Sequence, residues 1–136
     1  MDLQRLITGA MKAHDAVLSE KIQRLWSGYC EISRWQLSGG SECTVIAKYV
    51  NAPSRAPRRG GGSWKLSHER KVRSYEVERV WYERYAPGCA DPCRVPRCFG
   101  VFSQGQEHLL ILEDLDGAGY PMRVQRPSWT QMAAGL

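Results

Sequence analysis

Residues 43–50 read Cys43-Thr44-Val45-Ile46-Ala47-Lys48-Tyr49-Val50, the strongest strand signal in the chain. β-Branched and aromatic residues crowd into it, as they do where a strand is packed inside a sheet. Side chains of a strand alternate between faces, so Lys48 shares a face with Ile46 and Val50. A lysine in the middle of an apolar strand face is costly unless an anion meets it. Some carboxylate elsewhere in the chain is therefore expected to reach this face.

On the N-terminal side, Ser38-Gly39-Gly40-Ser41 is a turn signal, and Tyr29 to Leu37 suits a second strand. Ile22 and Leu25-Trp26 lie in a short strand-like stretch ending at Ser27-Gly28. Before it, Leu3, Leu6, Ile7, Ala10 and Met11 recur at helical spacing and predict a helix from Asp2 to Ser19. On the C-terminal side, Asn51 to Ser67 reads as a loop with Pro53, Pro57, Arg58-Arg59 and Gly60-Gly61-Gly62. A long helix is expected from His68 to Tyr85, closed by Pro87-Gly88. Arg97 to Ser103 and His108 to Glu113 read as strands joined at Gln104-Gly105-Gln106. The tail is mostly loop, with Ser128-Trp129-Thr130-Gln131 resembling a capping box.

This order predicts an α+β domain: a five-stranded antiparallel sheet, one long helix packed across it, and an N-terminal helix. One domain over residues 1–136 is expected, with a leading helix in 1–20, sheet and long helix in 21–115, and an exit and tail in 116–136. Hydrophobic residues make up 43% and charged residues 24%, which excludes wholesale disorder, collagen and coiled coil. No apolar run reaches the roughly 18 residues of a membrane span, and the start Met1-Asp2-Leu3-Gln4-Arg5 does not read as a secretory signal. Cys30, Cys43, Cys89, Cys93 and Cys98 form an odd set without zinc-ribbon spacing. They read as idle reduced thiols of a cytoplasmic protein rather than a metal site.

At 100° per residue, the long helix places Tyr75, Val77, Val80, Trp81, Tyr82 and Tyr85 on one broad arc. Glu78 falls inside that arc, with Glu76 and Glu83 opposite. A carboxylate on a buried face needs a cation, and Lys48 is the one available. The bland alternative has Lys48 snorkelling to the sheet edge and Glu78 at the helix margin. Val45-Ile46-Ala47-Lys48 followed by a helix with a facing glutamate is the kinase arrangement.

Five segments occur in an order that resembles a known family. They are Leu25-Trp26-Ser27-Gly28-Tyr29, Val45-Ile46-Ala47-Lys48, Glu78-Arg79-Val80-Trp81-Tyr82, Arg94-Val95-Pro96-Arg97 and Leu110-Ile111-Leu112-Glu113-Asp114-Leu115. The order is similar to that of the aminoglycoside phosphotransferase and choline kinase-like proteins, particularly the ecdysteroid-kinase-like branch. The resemblance spans residues 20–123 and implies a protein-kinase-like N-terminal lobe. It implies that Ser27, Gly28 and Tyr29 form the loop over the phosphates of ATP, with Cys30 where the family usually has a second glycine. It implies that Lys48 contacts the α- and β-phosphates and that Glu78 orients it. Leu112, Glu113 and Asp114 would be a hinge whose backbone meets the adenine edge. Without the resemblance, Glu113-Asp114 reads as an exposed acidic turn.

The family's second lobe carries a catalytic aspartate in a His-Gly-Asp type loop, an asparagine and a metal-binding aspartate. None is found after Asp116, and the only His-Asp pair is His14-Asp15. The expectation is thus a truncated, nucleotide-binding lobe with no catalytic residue and no metal site of its own. Mg²⁺ and a small-molecule acceptor would enter only with the absent lobe, and the exposed lobe face invites self-association.

Two other function classes compete. Basic residues outnumber acidic ones 19 to 14, a net charge of +5. Arg55, Arg58, Arg59, Lys65, Arg70 and Lys71 could therefore make a small nucleic-acid-binding module, although the charges are spread rather than gathered. Trp35, Trp64 and Trp129 could instead anchor a protein partner.

Overall fold

The computed structural model of the chain describes residues 1–25, 28–54, 62–89 and 94–120. The elements are α1 (Leu3–Met11), β1 (Asp15–Arg24), β2 (Cys30–Ser38), β3 (Thr44–Asn51), α2 (Gly62–Arg84), a short 3-10 turn (Ala86–Gly88), β4 (Cys98–Gln104) and β5 (Glu107–Glu113). The strands form one five-stranded antiparallel sheet in the order β1-β2-β3-β5-β4. This is the α+β architecture expected from the sequence, with β3 at its centre.

Helix α1 starts where the Asp2 side chain accepts a bond from the Arg5 backbone N–H at 3.1 Å. It stops well short of Ser19. Lys12 turns left-handed with φ 50°, and the His14 N–H donates to the Ser38 carbonyl at 2.7 Å. Residues Asp15–Arg24, split by the sequence reading between helix and a later strand, are one strand along β2. The open β2 edge offers this backbone a ladder from Asp15 to Arg24, broken only by irregularities at Ser19 and Ile22, which outweighs its helical spacing. The turn after β2 hugs that corner: Gly39 has φ 74°, and a Cβ there would lie 3.0 Å from the His14 ring. Helix α2 begins at Gly62, so the expected loop to Ser67 is shorter than predicted. The capping box at Ser128–Gln131 lies outside the described residues.

Strand register sorts the sheet into two faces. Ile32, Lys48 and Leu110 are mutual partners, as are Arg34, Ile46 and Leu112, so these six share a face. The opposite face carries Val45, Ala47, Leu109 and Ile111, all fully buried, and these pack with Leu37 against Ile7 and Met11 of α1. The apolar core thus belongs to the short helix. The long helix lies over the Lys48 face, and among its described side chains only His68 is buried. The arc drawn from helical spacing holds at Tyr75, Val80, Trp81 and Tyr82, which are half-buried, and is corrected at two positions. Val77 is 59% and Tyr85 63% exposed, while the stripe His68, Lys71, Tyr75, Glu78 and Tyr82 is buried or half-buried.

Candidate functional site

Lys48 and Glu78 meet between β3 and α2. The Lys48 Nζ lies 2.6 Å from Oε1 and 2.6 Å from Oε2 of Glu78. Lys48 does not snorkel, its side chain being 16% exposed, and Glu78 is held at 31%. An ammonium has three donors, so a third N–H remains for another acceptor after the carboxylate takes two. Cys30 lies fully buried on the same sheet face. Burial pushes its thiol up to about 11; Lys48 pulls the other way, and the carboxylates of Glu78 and Glu31 add to the rise. Burial raises the Tyr82 hydroxyl as well, with Glu78 contributing next.

The β1–β2 turn closes this end. The Gly28 N–H donates to the Leu25 carbonyl at 2.7 Å with a Gly28 φ of 71°. Tyr29 leans onto α2. Its hydroxyl is 3.0 Å from His68 Nδ1, its ring meets the imidazole edge-on at 5.5 Å, and Lys71 Nζ stands 6.0 Å from the ring centre. Ser27, the first residue of the expected phosphate loop, lies outside the described residues.

At the other end of the same sheet face, β5 runs out through Leu112, Glu113 and Asp114, all buried. Glu113-Asp114 is therefore not an exposed acidic turn. Glu113 accepts from Arg94 Nη2 at 2.7 Å and from the Arg97 backbone N–H at 3.1 Å. Asp114 accepts from Arg34 Nε at 2.7 Å and Nη2 at 3.4 Å. The same guanidinium reaches Asp116 at 2.5 Å and Glu20 of β1 at 2.5 Å. Burial alone would raise both Glu113 and Asp114. The Arg97 N–H and Arg94 prevail at Glu113, and Arg34 with Thr44 at Asp114, so both carboxyls sit below their ordinary range. The backbone turns tightly here, with the Asp114 carbonyl accepting from Ala118 N–H and that of Leu115 from Tyr120 N–H.

At this β5 end lies a mostly apolar cleft of about 420 Å³, walled by Ile22, Ile32, Ile46, Leu112, Leu115 and Tyr120, with Arg34, Glu113, Asp114 and Asp116 also in its lining. Ile46 and Lys48 are two residues apart on one strand face, so the cleft and the ion pair are neighbours, about 7 Å apart along β3. A flat apolar group in the cleft and an anionic group at Lys48 are what this face can take together. A larger open groove of about 1170 Å³ runs past Pro53, Leu66 and Val77. It contains neither Lys48 nor Glu78, and its Lys65, Arg70 and Arg73 alternate with Glu69 and Glu76, so it concentrates no charge of one sign.

Lys48, Glu78, Gly28, Tyr29, Leu112, Glu113 and Asp114 thus all border or support one sheet face. Sequence reasoning missed Arg34, Glu20, Asp116, Arg94 and His68. Arg34 was findable by the logic used for Lys48, since it too is a cation on an apolar strand face beside Ile32. Among the described residues no group of three His, Cys, Asp or Glu side chains is placed to hold a metal ion. Cys30 is buried, Cys43 and Cys89 are exposed, and Cys93 is outside the described residues. Within the same residues no helix is long and apolar enough to cross a membrane. The fold and site define an antiparallel sheet domain with a lysine–glutamate pair between its central strand and its long helix. No protein-family model and no curated protein matches the chain.

Proposed function

We propose that this chain is the nucleotide-holding N-terminal lobe of a small-molecule phosphotransferase. The observation that carries the reading is the Lys48–Glu78 pair, a bidentate contact at 2.6 Å beside an apolar cleft on the same sheet face. Glu78 fixes the ammonium, and its remaining N–H is offered to the α- and β-phosphates of ATP. The base lies between the apolar side chains of the cleft, with the β5 exit along its edge. Gly28 and Tyr29 border the phosphates from the β1–β2 turn.

The residues of this chain hold and orient; they do not transfer. At the phosphate end Glu78 is engaged by Lys48 and Glu31 by Lys21 at 3.2 Å, a set that does not fit a magnesium site. The proton acceptor, the metal ligands and the acceptor pocket belong to a second lobe in this reading.

Calorimetric titration of the 136-residue chain with ATP tests it. The expected result is weak saturable binding, with a Kd on the order of 1 mM. Lys48→Met abolishes it and Glu78→Gln weakens it. Absence of saturable ATP binding, or equal binding by Lys48→Met, contradicts the reading.

A further inference from the structure

We propose that Arg34 is a positioning residue that builds the lip of the cleft, an inference that rests on the nucleotide reading of this face. Three segments of the chain meet at its guanidinium. Arg34 belongs to β2, Glu20 to β1, and Asp114 and Asp116 follow β5. The planar fork uses Nε and Nη2 on Asp114, Nη2 on Asp116 and Nη1 on Glu20. A lysine carries the same charge but cannot span three carboxylates in one plane.

The consequence reaches the cleft through the backbone. Asp114 Oδ1 also accepts from the Asp116 N–H at 3.2 Å, and the next turn is closed by Ala118 N–H and Tyr120 N–H. That turn delivers Leu115 and Tyr120 to the cleft wall. Tyr120 is further set by the Arg94 guanidinium 5.0 Å from its ring, and Arg94 in turn holds Glu113. Without Arg34, three carboxylates face one another with no cation in their plane, and their repulsion opens the turn. Arg34 therefore acts on the base end of a bound nucleotide, whereas Lys48 acts on its phosphates.

Titrations with ATP and with adenosine, which has no phosphate, separate the two ends. Arg34→Ala is expected to weaken both ligands by the same factor, about tenfold. Lys48→Met weakens ATP and leaves adenosine unchanged. Arg34→Lys does not restore affinity, and the milder Asp116→Asn moves both ligands in the direction of Arg34→Ala. Amide hydrogen exchange on the ligand-free chain supplies an independent arm. In Arg34→Ala and Asp116→Asn, exchange at Ala118 and Tyr120 accelerates while Leu109 and Ile111 keep their protection. Adenosine affinity unchanged in Arg34→Ala, or unchanged exchange at Ala118 and Tyr120, overturns the proposal. If the unaltered chain binds neither ligand, the nucleotide reading falls and the ligand role of Arg34 with it. The exchange result then still decides whether Arg34 builds the turn.

Discussion

Helix α1 has nine residues and α2 has 23, and they cover opposite faces of one sheet. The short helix buries Ile7 and Met11 in the core, while the long one buries only His68 among its described side chains. Half-buried on α2 are Lys71, Tyr75, Glu78 and Tyr82, polar or amphipathic, together with the apolar Val72, Val80 and Trp81. Length and burial are thus decoupled here. The α1 face supplies stability through apolar contact, and the α2 face supplies charges and hydroxyls at defined distances.

The largest test of this contrast is on the core. Ile111 is fully buried against the α1 side, and Ile111→Ala is expected to lose about 4 kcal/mol in urea melts. Val77→Ala on α2 should lose less than about 0.5 kcal/mol. Comparable losses at the two positions would erase the distinction.

The β5 exit comes next, because it joins the two faces. Asp114→Asn weakens the fork to Arg34 and should lower stability by about 2 kcal/mol. Acid titration sharpens the point. Glu113 and Asp114 have folded values held below their unfolded ones, so their contribution is complete above the ordinary carboxylate range, near pH 4. It is lost as pH falls through the lowered folded values. Stability followed by circular dichroism should drop below about pH 4, and less steeply in Asp114→Asn.

The smallest effect is expected at the β1–β2 turn. Tyr29→Phe removes the hydroxyl that meets His68 and keeps the edge-on rings, for a loss of about 1 kcal/mol. Amide exchange should rise around Gly28 and leave β3 unaltered. A change spread over the whole sheet would show that α2 contributes more to the core than its exposure indicates.

The sheet was legible in the sequence because its strands alternate and its turns carry glycine. The Lys48–Glu78 pair was legible because a buried charge demands a partner. Strand β1 was not, since His14, Val17 and Leu18 continue the helical spacing of Ala10 and Met11. Only the open edge of β2, a long-range fact, decides for a strand. On α2 apolar character alone does not mark the inward side, since Val77 and Tyr85 are exposed. What defines it is Lys48 drawing Glu78 and Tyr29 drawing His68. Arg34, a second cation on an apolar strand face, likewise meets carboxylates, those of Glu20, Asp114 and Asp116.

The central claim is that the Lys48 ammonium, held by Glu78, receives the phosphates of a nucleotide. Nuclear magnetic resonance of lysine side chains labelled at Cε and Nζ tests this most directly, with ATP added stepwise. The account predicts that the Lys48 resonance moves and saturates with ATP, does not move with adenosine, and that Lys12 and Lys65 stay in place. A Lys48 resonance that stays fixed while the exposed lysines respond would contradict it.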